Sequence, residues 1–349
     1  MRMIVAAIAG MVLLVSGLWV YSAVRTDRIG AEFGPVGQFA RVGDVDLHYV
    51  DTGAADGPVV VLLHGAASNL RDPMMALGDR LSTRYRVVAL DRPGNGWSSR
   101  GGNGDVALPS VQADYVLGLL DVLGIDEAIF VAHSWSGALA LTLALDHPDR
   151  TAGLVLIAPT SHPWPGGINW YYTTATLPGI GWVFANTLPL PIGEAMLGGV
   201  IETVFDPQEP PENYADLTGA RLVLRPEAFV STAEDVSRLL DFVVAQSARY
   251  GEIAVPTSIL VGNADKIVSP RFHSRALAGQ IKAAKLITFD RTGHMVHHAM
   301  PEAVATEVDR VAASIEQSRQ SDPAPAAPAT DAPEPTGGSE GAAAEVTPR

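Results

Sequence analysis

Short and uninterrupted apolar runs recur along the middle of the chain. They lie at Val59–Leu63, Arg86–Leu90, residues 128–132, residues 153–157, residues 257–261 and Ala284–Phe289. Continuous apolar runs, unlike alternating ones, are typical of parallel strands that are covered on both faces. Ahead of them, Gln38–Val42 and residues 45–50 predict an antiparallel pair of strands, which Gly43 and Asp44 connect.

Helix-sized segments, such as residues 109–123 and 137–146, alternate with these runs. The alternation predicts an α/β fold with a doubly wound, mostly parallel sheet of about eight strands. Functional groups in such sheets lie beyond the carboxyl ends of the strands. The chain has 349 residues, of which 47% are hydrophobic, so a large core can be buried.

The first segment of the chain has a different pattern. Residues 3–24 contain no charged side chain between Arg2 and Arg25. As a helix this segment is about 33 Å long, which is enough to cross the hydrocarbon of a bilayer. Trp19 and Tyr21 lie near its end, where interfacial aromatic anchors are common. It has no polar face that a surface helix of a soluble protein would show.

We therefore expect residues 1–30 to be an uncleaved membrane anchor. The alternative is a signal sequence that is removed near the small residues Ser22 and Ala23, which would release a secreted protein. Positive charges lie on both sides of the segment, so they favour neither orientation strongly. The short amino-terminal tail and the large following domain favour an extracytoplasmic catalytic domain.

The far end of the chain is rich in proline, alanine and acidic residues. Such a composition cannot bury enough apolar surface to offset the entropy of ordering. Residues 318–349 are therefore predicted to be a disordered tail.

Charge and composition exclude several classes of function. The net charge is −14, which disfavours a nucleic-acid partner because phosphates need a basic face. The chain has no cysteine, which excludes thiol catalysis, thiolate metal sites and disulfides. No phosphate-binding or dinucleotide-binding glycine motif is present. We expect no cofactor.

The apolar run at residues 128–132 continues through His133 to Ser134, directly before a predicted apolar helix. A serine on such a sharp turn presents its hydroxyl as a nucleophile, and small residues two positions away on each side prevent a clash. Ala132 and Ser136 occupy those positions, where glycine is usual. An ordinary helix cap is the alternative role for Ser134.

Five motifs together resemble the α/β-hydrolase superfamily in its usual order. They are residues 64–65 (HG), 91–98 (DRPGNGWS), 132–137 (AHSWSG), 262–265 (GNAD) and 293–294 (GH). The resemblance covers residues 38–313 and is closest to the branch of esterases, haloperoxidases and carbon–carbon hydrolases. Dehalogenases and epoxide hydrolases of this superfamily carry an aspartate at the turn, so Ser134 excludes them.

The order of Ser134, Asp265 and His294 along the chain is the order of the catalytic triad in this fold. A neutral imidazole takes the proton of the serine hydroxyl, and a carboxylate holds the imidazole in the required tautomer. Activity should fall at low pH, because a protonated His294 cannot act as a base. His297 and His298 compete with His294 for this role. A metal site formed by the three histidines is disfavoured, because no acidic cluster has matching spacing, and we expect no metal.

The resemblance implies further residues of the site. The backbone amides of Ala66 and Trp135 would form the oxyanion hole, and His64 and Trp164 are candidates for substrate contact. It also implies a helical cap at residues 161–250, between the two parts of the hydrolase core at residues 36–160 and 251–317. This segment is rich in aromatic residues and proline.

The sequence thus predicts a membrane-anchored serine hydrolase that cleaves an ester or related acyl bond of a small hydrophobic substrate through an acyl-enzyme. Carbon–carbon bond hydrolysis or perhydrolysis on the same triad is an alternative, since fold and triad do not choose between these reactions. A binding protein without catalysis is another. The natural substrate and the oligomeric state stay open.

Overall fold

An eight-stranded sheet forms the centre of the protein. The computed structural model describes residues 1–321. The strands are β1 (Gln38–Val42), β2 (Val45–Gly53), β3 (Val59–Leu63), β4 (Arg86–Leu90), β5 (Ala128–His133), β6 (Thr151–Ile157), β7 (Thr257–Gly262) and β8 (Ala284–Phe289).

The order of the strands across the sheet is β1-β2-β4-β3-β5-β6-β7-β8. β2 pairs antiparallel with both β1 and β4, and all other neighbours pair in parallel. This confirms the predicted antiparallel opening pair and the mostly parallel sheet. Every residue of β5 is buried, because this central strand is covered on both faces.

Apart from the first helix, the helices pack on the two faces of this sheet or form the cap. They are α1 (Arg2–Glu32), α2 (Arg71–Pro73), α3 (Asp79–Ser82), α4 (Pro109–Val122), α5 (Ser136–Asp146), α6 (Trp170–Ala175), α7 (Ile180–Ala185), α8 (Pro189–Phe205), α9 (Tyr214–Leu217), α10 (Pro226–Gln246), α11 (Ser274–Gln280), α12 (Val296–Ala299) and α13 (Pro301–Ser321). A π-helical turn, Met74–Gly78, joins α2 to α3, and 3₁₀ turns lie at Ala220–Leu224 and Ser247–Glu252.

Two apolar cores lie on opposite faces of the sheet. Along β5, Phe130 packs into one core, while its neighbours Ile129 and Val131 pack into the other. This alternation follows from the period of two residues along a strand. α4 and α5 cover the first face, and α13 covers the second. The two layers of helices bury both faces and hold the ends of the strands in place.

The apolar first segment is a helix, as predicted, and its amino-terminal part projects away from the rest of the protein. An 18-residue window of α1 has a mean hydropathy of 2.4, and none of that window is buried. Length and composition make α1 a candidate for a membrane anchor or a signal sequence.

The carboxyl end of α1 packs against the domain that contains the sheet. Ile29 and Phe33 are buried against Leu190 and Leu222 of the cap. At the opposite end of the protein, α13 continues to Ser321, past the predicted start of the tail at residue 318. The rest of the predicted tail lies outside the described residues.

Candidate active site

Ser134 lies on a sharp turn between β5 and α5. Its φ angle is +55°, in the left-handed region that residues other than glycine rarely adopt. Hydrogen bonds fix the strained backbone: the amide of Ser134 donates to Ile157 (3.0 Å), and its carbonyl accepts from Gly137 and Thr160 (2.9 Å each). A Cβ atom at Gly137 would lie 2.5 Å from Pro159 Cβ, so this position requires glycine. The turn presents the Ser134 side chain at the carboxyl edge of the sheet.

The variant residues of this turn fit without a clash. Ala132 is completely buried between the layers. The hydroxyl of Ser136 donates a hydrogen bond of 2.5 Å to the carbonyl of His64, at the end of the neighbouring strand β3. Serine in place of glycine therefore adds a bond between two loops of the site.

Asp265 and His294 form a buried pair at the ends of β7 and β8. His294 Nδ1 lies 2.8 Å from Asp265 Oδ2. The other carboxylate oxygen accepts hydrogen bonds from the amides of Ile267 (2.8 Å) and Val268 (2.9 Å). Since a carboxylate only accepts, Nδ1 of the imidazole carries the proton and Nε2 is left as an acceptor.

A cavity of about 840 Å³ brings these groups together. Ser134 and His294 both line the cavity, and the carboxylate of Asp265 accepts a hydrogen bond from Nδ1 of His294. Within residues 1–321, no hydrogen bond joins the Ser134 hydroxyl to the His294 ring. Catalytic hydrogen bonds are often long before substrate binds and tighten in the complex.

Two backbone amides of the cavity wall are unused within the part of the chain that the structure describes. The N–H groups of Ala66 and Trp135 donate to no other residue there, and both residues line the cavity. Gly65 lets this loop approach the turn, because a Cβ at residue 65 would lie 3.2 Å from Ser134 Cβ. Ser134 lines the same cavity as these two residues.

The two candidates for substrate contact have different positions. Trp164 lines the cavity, and its indole N–H donates to the carbonyl of Gly167 (3.0 Å). His64 is not one of the residues that line the cavity. Its Nδ1 donates to Gly65 (2.8 Å), and its Nε2 accepts from the amide of Arg92 (3.0 Å). Burial, together with the charge of Arg92, lowers the pKa of His64 from 6.5 to about 4.

A second cluster of titratable groups lies beside the site, and the sequence did not indicate it. Asp72 lies 3.0 Å from His297 Nε2 and 2.8 Å from His298 Nε2, and the hydroxyl of Tyr214 donates to it at 2.8 Å. Burial alone would raise the pKa of Asp72, but the two imidazoles hold it well below its usual range. Asp72, His297 and His298 offer the kinds of ligand atom that a metal ion binds. Their mutual hydrogen bonds already account for the arrangement.

His133 connects this cluster to the site. Its ring centroid lies 4.6 Å from that of His294 and 4.4 Å from that of His297. Burial and the neighbouring imidazoles keep the pKa of His133 well below its ordinary value, so the ring stays neutral. His133 therefore packs against the side of His294.

A buried ion pair joins the cap to the base of the site. Arg92 and Asp235 have no exposed side-chain surface and lie 2.7 Å apart. The guanidinium of Arg92 lies 4.0 Å from the centroid of the Trp135 ring, whose N–H donates to the carbonyl of Asp235 (3.1 Å). Asp235 lies on the buried face of the amphipathic helix α10. A charged residue at such a position is the sequence signal that could have indicated this ion pair.

A strained strand-to-helix turn that carries a serine, a buried carboxylate–imidazole pair and a mostly parallel sheet are the features of an α/β-hydrolase fold. A family model described as "Alpha/beta hydrolase family" matches residues 60–307. The chain belongs to this family, as the sequence motifs predicted, and it is a hydrolase.

Curated relatives cover most of the chain. It is 29% identical to a 2-hydroxy-6-oxononadienedioate/2-hydroxy-6-oxononatrienedioate hydrolase of Comamonas testosteroni, over 71% of this chain and 84% of the relative. It is 28% identical to a 2-hydroxy-6-oxo-6-phenylhexa-2,4-dienoate hydrolase of the same organism, over 75% of this chain and 91% of that relative. The enol-lactonase of Burkholderia xenovorans LB400 has the same fold, with a TM-score of 0.65 and 22% identity over 79% of this chain and all of that one.

Proposed function

We propose that this protein is a serine hydrolase that cleaves an ester or related acyl bond through an acyl-enzyme. The pairing of Asp265 with His294, on the same cavity as Ser134, is the observation that carries the proposal. In this mechanism Ser134 is the nucleophile, His294 is the general base and Asp265 orients the imidazole.

Each group has a defined part in the reaction. Ser134 Oγ attacks the acyl carbon while its proton passes to His294 Nε2. The oxyanion accepts hydrogen bonds from the amides of Ala66 and Trp135, and loss of one such donor typically costs about 3–4 kcal/mol of transition-state stabilisation. The C–O bond breaks, and His294 returns the proton to the leaving alcohol. Water, activated by the same imidazole, then releases the acid and regenerates Ser134.

The cavity wall favours a neutral and apolar substrate. Leu197, Ile201 and Val204 of α8 line it together with aromatic side chains. Lys266 is the only lysine or arginine on the cavity wall in the described part of the chain, and it lies 2.6 Å from Asp206. Without a free cation, a carboxylate substrate would lose its hydration with no compensating ion pair.

Carbon–carbon bond hydrolysis is the second candidate, because two relatives are named as hydrolases of oxo-dienoate compounds. Product analysis separates the two reactions. The purified protein is incubated with a vinylogous diketone acid and, separately, with uncharged esters of increasing acyl length. Faster turnover of the diketone acid would replace the proposal by the second candidate.

The test of the nucleophile uses a fluorophosphonate probe and short p-nitrophenyl esters. The wild-type chain should be labelled on Ser134, and Ser134→Ala should lose both the label and the turnover above background. Ser68→Ala is the matched control for labelling, because Ser68 lines the same cavity. A binding protein without catalysis would stay unlabelled, and full activity of Ser134→Ala would exclude the mechanism.

We also propose that α1 anchors the protein in a membrane, with the catalytic domain on the extracytoplasmic side. The length, hydropathy and exposure of α1 support the anchor. The full chain should stay in carbonate-washed membranes, and a variant without residues 2–20 should be soluble. This variant keeps Ile29 and Phe33, which pack against the cap. Protease added outside intact cells tests the orientation, and amino-terminal sequencing of the mature protein tests cleavage near Ser22.

A further inference from the structure

The outer surface of the cap carries large apolar side chains that face solvent. They are Trp170 (71% exposed), Ile180 (62%), Trp182 (62%), Ile192 (50%) and Met196 (57%), which are here called the cap outer face. None of the five lines the cavity. They lie on the three consecutive helices α6, α7 and α8, of which α7 packs against both of the others. Adjacent exposed apolar groups mark a surface that binds an apolar partner.

The charge pattern of this segment is unusual for a protein surface. Residues 163–201 contain a single charged side chain, Glu194. On α8, Ile192 and Met196 lie about one helical turn apart and are both exposed, so this side of the helix is apolar and faces outward. A soluble surface normally carries interspersed charges. The partner of this face is therefore uncharged and apolar.

The single charge of the segment joins the cap to α1. Arg25 of α1 forms an ion pair with Glu194, and the hydroxyl of Tyr21 donates to the same carboxylate at 2.9 Å. The hydroxyl of Ser22 also lies 3.4 Å from the carbonyl of Thr187. These contacts show which part of α1 lies against the cap, namely residues 21–25.

The position along α1 determines which partner is available. The apolar part of α1 ends at Arg25, so the membrane boundary lies near the residues that bind Glu194. With α1 as the proposed anchor, α8 is therefore held beside the bilayer surface, together with α7, which packs against both α8 and α6. Tryptophan and aliphatic side chains are typical of protein surfaces that bury about 5–10 Å into the boundary of headgroups and acyl chains.

We infer that the cap outer face is a membrane-contact surface, which inserts between the lipids beside α1. The inference rests on the proposed anchor and not on the proposed chemistry. Two of these helices also line the cavity, α6 through Tyr171 and Tyr172 and α8 through Leu197. The cap thus separates the lipid from the catalytic cavity by one layer of helices, which suits a substrate that partitions into the bilayer.

The absence of cysteine from the chain gives a direct test. Single cysteines are introduced in the full chain as Met196→Cys and Ile180→Cys on the cap outer face, Leu13→Cys in α1, and Val122→Cys on α4. Val122 is a matched control because it is an apolar side chain with 59% exposure on the hydrolase core. Each variant carries an environment-sensitive fluorophore and is reconstituted into phosphatidylcholine vesicles that contain lipids with a quencher at a shallow or a deep position.

The expected results distinguish the two proposals. Labels at residues 196 and 180 should be quenched more by the shallow quencher, the label at residue 13 more by the deep one, and the label at residue 122 by neither. Quenching at residue 13 without quenching at residues 196 and 180 would overturn the contact surface and leave the anchor intact. A water-exposed label at residue 13 would overturn the anchor. If no label is quenched, both proposals fail.

A second measurement tests the link to the substrate. Ile192→Asp combined with Met196→Asp should lower kcat/KM for a long-chain ester dissolved in the vesicles and leave kcat/KM for a short, water-soluble ester unchanged. Val122→Asp should change neither. Because the face carries no basic residue, the vesicle-dependent activity should not increase with anionic lipid. Equal activity of the double variant and the wild type on the long-chain ester would contradict the role of the face in substrate delivery.

Discussion

Two carboxylate–imidazole systems lie at the carboxyl edge of the sheet, and they have similar distances but different surroundings. In the first, Asp265 holds His294 at 2.8 Å, and the imidazole lines the cavity. In the second, Asp72 lies 2.8–3.0 Å from His298 and His297. Asp72 itself lines the cavity, but neither of its two imidazoles does.

Because both systems have short Asp–His distances, only their surroundings distinguish the proposed catalytic pair from the second one. Asp265 accepts hydrogen bonds from two backbone amides and from a single imidazole. Within residues 1–321 the other nitrogen of that imidazole has no hydrogen-bond partner, and it is the proposed acceptor of the Ser134 proton. Asp72 serves two imidazoles and the hydroxyl of Tyr214. The first arrangement places the imidazole of the proposed base on the cavity wall, whereas the second joins α2 to α9 and α12. The following predictions test this difference.

The largest effect is expected from Asp265→Asn. The amide oxygen can still accept from the backbone, but its NH₂ group forces the opposite tautomer on His294, and kcat should fall about 10⁴-fold, as for the corresponding change in a serine protease triad. Ester turnover and the melting temperature are measured together. Asp290→Asn is the control, because Asp290 is a neighbouring acid that pairs with Asn263. A loss of less than tenfold for Asp265→Asn would remove the proposed role.

Acid should destabilise the fold through the buried histidine of the β3 loop. The pKa of His64 is about 4 in the folded protein, against 6.5 for an unperturbed histidine, so the unfolded chain binds an extra proton between these pH values. The free energy of unfolding should therefore decrease as pH falls from 6.5 to 4, by about 3 kcal/mol for this group. Urea denaturation at a series of pH values measures the slope.

The control for the pH effect compares two histidines. His64→Asn should reduce the dependence on pH, although it also lowers stability at neutral pH. The surface variant His147→Asn should retain the wild-type slope. An unchanged slope in His64→Asn would show that other groups cause the acid sensitivity.

Asp72→Asn should affect stability more than chemistry. The variant presents an NH₂ group to imidazoles that donate hydrogen bonds, so unsatisfied polar groups are left in the interior, at a cost of about 1–3 kcal/mol. Its kcat should remain far above that of Asp265→Asn. Chemical denaturation measures the loss, with the exposed Asp114→Asn as a control that should change stability by less than about 0.5 kcal/mol. If the loss of kcat in Asp72→Asn equals that in Asp265→Asn, the second cluster is catalytic.

The smallest effect is expected from Tyr214→Phe. This change removes one hydrogen bond to Asp72 and leaves both imidazoles in place, so the free energy of unfolding should fall by about 1 kcal/mol. The same denaturation experiment measures it. A loss larger than that of Asp72→Asn would mean that Tyr214 has a further role in the cap.

Much of the fold could be predicted because its signals are local. Apolar runs gave the parallel strands, and the spacing of Ser134, Asp265 and His294 after three of those runs placed them at one edge of the sheet. The small neighbours Ala132 and Ser136 showed that a strained turn could form. Each of these inferences depends on residues close together in sequence or on the common direction of parallel strands.

Other features depend on contacts between distant segments. Asp72 and His297 are 225 residues apart in sequence, and Arg92 and Asp235 are 143 apart. The sequence made His64 a candidate for substrate contact, but its two ring nitrogens are occupied by backbone groups. The local sequence gives the type of a residue, but it does not show which atoms the side chain will contact in the folded protein.

The sequence by itself determined the family, the alternation of strands and helices, and the apolar character of the first helix, because periodicity and composition are properties of the chain alone. Only the tertiary structure decided that α1 packs against the cap through Arg25 and Glu194, and that the cap directs one apolar side to the cavity and the other outward. The physical reason is that exposure is a property of the packed molecule: the same apolar helix is a core element or a contact surface according to what covers it.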